Sequence, residues 1–359
     1  MLSTRDLLAR LIACRPVSAD LPQVNAAARV LELYLREAGL HTVSEELPDG
    51  RRAVWAATGP GKQVKILLNA HVDVVPAEDP RQFDLREHDG WLIGRGSDDC
   101  LGNCALLANA LIRLRDQAVS VGVIFTADEE IGGRSTLAMV ERGYAATQAV
   151  LVFDGKGYTL VHAQKGIMTL KLIAHGRAGH AAEPWLSDNA IDRLLAGYQQ
   201  VRALFPPVAP PEEWRNTMAA TILHSGTVTN RIPDLAEMTL NIRFIADAEA
   251  DRLRQAIQEA SGLEVAGAVE CWPLNFAATE PTLQQLHRSM EAGLGRAIEI
   301  RHLNGATDAR HFRSLQVPIA ILGLPGHGGH GPHEAIEAAG LAAYEQWLHH
   351  YLAAEAAVP

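Results

Sequence analysis

A chain of 359 residues, 48% hydrophobic and 21% charged, can bury a large core and has room for two domains, which excludes a small disulfide-stapled scaffold. Its formal charge of −10, spread over 42 acids and 32 bases with no basic block, argues against nucleic acid and an anionic membrane surface as partners. Arg5, Asp6 and Arg10 break up the apolar residues near the start, and no later stretch could span a bilayer, so a soluble, cytoplasmic protein is expected.

Cys14, Cys100, Cys104 and Cys271 form no CxxC pair and read as reduced structural thiols. Leucines and alanines at helical spacing predict helices over 5–14 and 24–38, and Val64–Asn69 is a short apolar run of buried-strand type. A helix is expected over Cys104–Arg115 and a strand over Val119–Thr126; after Ser135–Arg142 comes another strand, Ala149–Phe153. Strands alternating with helices predict a mostly parallel α/β sheet. From about Ile167 the rhythm changes: strand Ile167–Ala174, helix Asn189–Phe205, strands near Ala219–Val228 and Glu237–Phe244, helix Ala248–Ser261, strand Glu264–Trp272. This β-α-β-β-α-β order predicts an inserted ferredoxin-like α+β domain over 166–276. A helix over Leu283–Gly293 and the apolar strand Val317–Leu324 then resume the first pattern, so the main domain is expected to be discontinuous, 1–165 plus 277–359. No internal repeat is visible, and only 206–211 is Pro-rich, a surface turn.

Four of these apolar strands run into residues that bind metals. Val64–Asn69 leads to His71 and Asp73, Val119–Thr126 to Asp128, Glu129 and Glu130, Ala149–Phe153 to Asp154, and Val317–Leu324 to His327 and His330. Sites in open α/β sheets form at the carboxyl ends of the strands. Several carboxylates gathered at one edge repel one another unless a cation joins them. Imidazole and carboxylate oxygen suit zinc and similar ions, and with no cysteine cluster the pattern reads as an open catalytic site and not a structural one.

Each motif has a plain alternative. In an extended segment His71 and Asp73 point to one side, so Asp73 can accept the second ring N–H of a liganding His71; a hydrogen-bonded loop histidine is the other reading. In Gly94-Arg95-Gly96-Ser97-Asp98-Asp99, ahead of a helix, Asp98 reads as a cap or surface residue and Asp99 as a ligand. Glu129-Glu130, followed by Gly132-Gly133, offers one carboxylate for a cation and another free to move a proton, or else a solvated acidic turn. Asp154 ends a strand just as an ordinary turn aspartate would. Three histidines, His327, His330 and His333, stand within a short Gly-rich loop, a density that core packing does not explain.

In order and spacing from His71 to Glu334, these residues resemble the M20 metallopeptidases, the co-catalytic zinc group that includes acetylornithine deacetylase and succinyl-diaminopimelate desuccinylase. The resemblance implies two divalent cations, zinc with cobalt or manganese as alternatives. It implies His71 and Asp154 on the first, Glu130 and His330 on the second, and Asp99 bridging them. Glu129 is then the general base and Asp73 the partner of His71. His330 is preferred over His327 and His333 because His330-Gly331-Pro332-His333-Glu334 resembles the family's closing His-x-Pro-x-Glu pattern. His180, within Gly176–Ala182, is similar to a family histidine that stabilises the oxyanion, commonly from a partner subunit. Asn230 and Arg243 resemble the family's substrate-carboxylate residues, and Thr307-Asp308-Ala309-Arg310 resembles a segment near the pocket.

The resemblance implies hydrolysis of the amide bond of N-acyl amino acids by a homodimer that closes through its inserted lid domain. A dipeptidase or carboxypeptidase of the same group shares every metal residue; a metal-binding protein with a dead site, or a bare dimer module, stands further off. Two departures bear on this. Asp99-Cys100-Leu101-Gly102 replaces the family's Asp-x-Lys-Gly, and Lys165-Gly166 stands where some desuccinylases carry Arg-Gly.

Overall fold

The computed structural model describes residues 1–358, in two compact units: 1–162 with 276–301 and 307 onward, and 163–275 with 302–306. The first unit opens with helices Thr4–Ala13 and Leu21–Glu37. Ser3 starts one by accepting the Asp6 N–H, and Asp20 starts the other by accepting from Gln23, with Pro22 in the first turn where its missing N–H costs nothing. That cap brings the second helix in three residues before the apolar spacing begins. Both helices bury one stripe, Leu7, Leu8, Leu11 and Ile12 on the first and Val24, Ala27, Leu31 and Leu35 on the second.

Strands Gln63–His71, Val121–Thr126, Ala145–Phe153 and Ile319–Leu322 form the parallel centre of the sheet. An antiparallel hairpin, His41–Glu46 with Arg52–Ala57, extends it on one side, and Val161 of strand Thr159–Gln164 meets Ile321 on the other. The hairpin has no clean alternation to reveal it in the sequence: Ala53 to Ala57 are all buried. Every residue of Val121–Thr126 is buried, as parallel strands covered on both faces require. Helix Leu101–Leu114 packs on this strand and on Gln63–His71, and apart from Arg113 it is buried all round, which marks it as a core helix.

Parallel register brings the strand ends level. His71 pairs with Thr126, Asn69 with Val152, and Leu322 with Phe153, so residues just beyond these strands emerge along one edge.

The second unit is a four-stranded antiparallel sheet in the order Thr217–Ser225, Leu235–Phe244, Gly166–His175, Glu264–Cys271. Helices Ala190–Ala203 and Glu249–Ser261 cover it over a core of its own, which includes Leu170, Leu172, Leu240 and Ile257. Sheet order and connections are ferredoxin-like. Along Gly166–His175 buried and half-buried residues alternate, the mark of a sheet with one wet face.

All four cysteines carry free thiols. Among the described residues no helix is long and apolar enough to cross a membrane.

Candidate metal centre

The level strand ends bring His71, Glu130 and Asp154 together with two ligand-type side chains from loops, Asp99 and His330. Asp99 lies between two histidines, its Oδ1 3.0 Å from His71 Nε2 and its Oδ2 3.2 Å from His330 Nε2. Asp154 Oδ1 stands 3.7 Å from His71 Nε2, and Glu130 Oε1 stands 3.0 Å from His330 Nε2. The arrangement has two lobes that share one carboxylate. His71 and Asp154 form one, joined by the Cys100 sulfur, while Asp99, Glu130 and His330 form the other; within each set the donor atoms all lie inside 4.8 Å of one another.

Several residues hold this geometry. His71 Nδ1 lies 3.0 Å from the Asp73 carbonyl oxygen and 3.4 Å from its carboxylate, so both oxygens of Asp73 steady the ring. The same carboxylate, fully buried, accepts from the backbone N–H of Glu129 at 3.0 Å, from that of Glu130 at 3.3 Å and from the Ser18 hydroxyl at 2.7 Å. One aspartate therefore ties the first histidine to the turn that carries both glutamates. Arg95, in the turn before helix Leu101–Leu114, and Glu334, in the closing loop, form an ion pair at 2.6 Å with both side chains 1% exposed. Glu334 accepts from the N–H groups of Asp98 and Asp99, and Arg95 donates to the His330 carbonyl at 3.2 Å. Such support is needed because His330 adopts φ +66°, a backbone region costly for a side chain of its size.

Burial, followed by the Asp154 charge, pushes the Glu129 carboxyl up to about 10. Burial pushes Glu130 up to about 7 and Asp154 up to about 6. Asp99 goes the other way: burial opposes its ionisation, yet His330 and His71 hold its carboxyl well below the usual range. His330 is pushed up to about 9, first by Asp99. Burial works against a charged His71, but Cys100 and the carboxylates of Asp154, Asp73 and Asp99 raise it well above an ordinary histidine. These groups draw positive charge toward the gaps between them, where a divalent cation would relieve the same imbalance. Glu130 Oε1 adds to the fit: it is buried and receives no aligned hydrogen bond, although His330 is near. Imidazole nitrogens and carboxylate oxygens are the donor set of zinc and related ions.

Asp98 departs from expectation. It is neither a cap nor a surface residue: Cys100 precedes helix Leu101–Leu114 without a side-chain cap bond, and Asp98 is buried with Oδ2 3.3 Å from Lys156 Nζ. The physical reason is the closing loop, where Gly326 comes so near Asp98 Oδ1 that a Cβ there would collide with it. Asp128 turns inward as a turn-builder, accepting from the Ser135 N–H and hydroxyl. His327 packs edge-on against Trp91 at 4.5 Å between ring centres, and with His333 lines an open pocket beside strand Trp91–Ile93. Glu129 keeps its carboxylate 4.0 Å from Arg310.

In the second unit His180 pairs across a short ladder with Arg231, and the Asn230 carbonyl accepts from Ala181. Arg243 lies on the half-exposed face of strand Leu235–Phe244, its Nε donating to Asn241 at 2.9 Å.

Ser18, Arg95 and Cys100 are residues to which the sequence reading gave no part in the site. Arg95 had a faint signal as the charged residue between two glycines. Ser18 had none, because its partner lies 55 residues away.

Comparison with known proteins agrees with this geometry. Residues 67–354 match the family model described as peptidase family M20/M25/M40. The succinyl-diaminopimelate desuccinylase of Gluconacetobacter diazotrophicus is 31% identical over 299 residues, covering 76% of each chain. The chain spans about half the length of other curated relatives it matches. The M20 family metallo-carboxypeptidase Sso-CP2 of Sulfolobus solfataricus superposes with a TM-score of 0.79 at 16% identity over the whole of both chains. The Bacillus subtilis YXEP protein, a dinuclear metal binding peptidase from the M20 family, does so with a TM-score of 0.70 at 15% identity over 98% of this chain and 97% of that one. Strand ends that converge on a shared carboxylate and a family match across most of the chain lead to one conclusion: the chain belongs to peptidase family M20/M25/M40.

Proposed function

We propose that this protein hydrolyses linear amides, holds two divalent cations, and acts on N-acyl amino acids in the manner of a deacetylase or desuccinylase. One observation carries the reading: the two oxygens of Asp99 face two histidines, each beside a further carboxylate. In this proposal His71 and Asp154 would hold one cation and Glu130 and His330 the other, with one Asp99 oxygen turned toward each. Zinc is the first choice, with cobalt or manganese as alternatives.

Bound there, the cations supply Lewis-acid charge to the scissile carbonyl and bring a water's pKa down to about 7. Glu129, on the same turn as Glu130 but outside both donor sets, would be returned to its ionised form by the charge of cations bound beside it, and it then takes the water's proton and delivers it to the leaving nitrogen. Asp73 orients His71 and fixes the backbone of the glutamate turn. His180 donates to the carbonyl oxygen as it turns anionic, and Asn230 and Arg243 bind the substrate carboxylate. Residues 166–276 serve as lid and dimerisation domain of a cytoplasmic homodimer. In support, strand Thr217–Ser225 lies at a sheet edge and exposes Ile222 and Leu223, a surface that a second copy would cover.

A second reading, a dipeptidase or carboxypeptidase, draws on one feature. Lys165, which stands where some desuccinylases carry arginine, is 2% exposed and spends its ammonium on the Glu213 carbonyl at 2.6 Å, so it is poorly disposed to grip a succinyl group. The test is a panel of N-acetyl-L-ornithine, N-succinyl-L,L-diaminopimelate and an aminoacyl dipeptide, run on protein whose metal content is counted per chain. Two ions and preferred hydrolysis of an acyl substrate are expected; preference for the dipeptide selects the second reading. Two ions with no hydrolysis of any would leave only a metal-binding protein.

A further inference from the structure

The turn that presents Glu129 and Glu130 is held from one side by Asp73; from the other it is held by a second buried aspartate, Asp308, which no family motif discussed above assigns to that task. Asp308 is 1% exposed, and its Oδ2 accepts from the hydroxyls of Thr126 at 2.8 Å and Thr136 at 2.6 Å. Thr126 is the last residue of the strand that leads into the glutamates, and Thr136 lies in the first turn of the helix, Arg134–Glu141, that follows them. One carboxylate oxygen thus staples the two ends of the turn together. The other oxygen, Oδ1, is buried without a hydrogen-bond donor and abuts Gly133, where a Cβ would collide with it. Gly133 also has φ +64°, so glycine is required there twice over, by conformation and by the approach of Asp308. Three residues on, His311 Nε2 lies 3.2 Å from the Gly132 carbonyl oxygen, and Arg310 between them brings its guanidinium 4.0 Å from Glu129.

A buried carboxylate is costly to desolvate, and what offsets that cost here is the charge of nearby Arg310 and two neutral hydroxyls. A leucine or threonine would fill the same space more cheaply, so the cost argues for a role in placing what the turn carries. We infer that Asp308 is a positioning residue: through Thr126 and Thr136 it sets where the Glu129 and Glu130 carboxylates stand relative to His71, Asp99 and His330. It touches neither substrate nor cation. The inference rests on the proposed roles of Glu129 and Glu130. It makes a prediction that simple core packing does not, because a displaced turn moves the Glu129 and Glu130 carboxylates directly and reaches the His71–Asp154 lobe only through Asp73 and Thr126, so proton transfer suffers and one cation suffers more than the other.

The experiment uses full-length Thr136→Val, which removes one donor at nearly constant volume, with Thr136→Ser as the rescue and Asp308→Asn as the partner variant. Stepwise Co²⁺ titration into metal-free protein reads the two affinities, and steady-state kinetics use whichever of the three panel substrates the wild type turns over fastest. Thr136→Val should lower kcat at least tenfold, toward the ~10²-fold that a 1 Å misplacement can cost, while KM stays within about twofold. One of the two cations should lose clearly more affinity than the other; Thr136→Ser should restore both properties, and Asp308→Asn should fall between. Wild-type kcat and affinities in Thr136→Val and Asp308→Asn overturn the inference. So does a joint loss of both cations and thermal stability that Thr136→Ser fails to rescue, which is the signature of a merely structural residue. A wild type that takes up no pair of cations instead defeats the reading of the site, and this inference with it.

Discussion

The two sheets of this protein handle polar residues in opposite ways. In the parallel sheet, strand Val121–Thr126 is buried at every position, so a charged side chain has nowhere to go except beyond the strand's end. His71, Glu129, Glu130 and Asp154 all stand at or just past such an end. In the antiparallel sheet, strand Leu235–Phe244 buries every second residue, and Asn241 and Arg243 sit along its wetter face. Two-sided burial concentrates chemistry at an edge, whereas one-sided burial lets recognition groups spread along a strand. The contrast extends to electrostatics. At the edge, burial first and the Asp154 charge second push the Glu129 carboxyl up to about 10.

This contrast can be broken by mutation, and the largest effect should come from the edge. Glu129→Gln is expected to keep two ions per chain and lose ~10²–10⁴-fold in kcat, the usual worth of a positioned proton carrier. Metal analysis and turnover on one preparation check it, and undiminished turnover ends the assignment. His180→Ala tests whether the second unit contributes to the chemical step. A loss of ~10²–10³-fold in kcat, typical of one oxyanion donor, is expected with the metal content untouched. Arg243→Ala should do least to the chemistry: KM should rise roughly 10- to 100-fold, about what a hydrogen bond to a charged group is worth, while kcat stays near wild type. If Arg243→Ala instead lowers kcat and leaves KM alone, recognition and chemistry are not divided between the sheets as drawn here.

Much of the fold was legible because burial leaves a period in the sequence. Gly166–His175 and Leu235–Phe244 alternate, Val64–Asn69 and Ala149–Phe153 are unbroken apolar runs, and the long helices repeat at helical spacing. What failed to show were elements whose pattern is set by neighbours far away. The hairpin of His41–Glu46 and Arg52–Ala57 and the final helix Ala338–Glu355, much of it apolar and buried along with Tyr344, Trp347 and Tyr351, carry no clean signal of their own. The site divides the same way. An acid or histidine after an apolar strand is a local signal, so His71, Glu129, Glu130 and Asp154 could be picked out one by one. Asp98 could not be placed correctly, because its burial depends on Gly326, more than two hundred residues further on.

By itself the sequence determined which residue types stand at the strand ends, since hydrophobic runs specify strands and the polar residues that end them are written next to those runs. Only the tertiary structure decided that Asp99 faces two histidines at once, that Asp73 and Asp308 grip the glutamate turn from two sides, and that Arg95 pairs with Glu334. Such contacts depend on loops from distant parts of the chain meeting to within a fraction of an ångström. Parallel register and close packing bring them together, and local sequence does not encode either.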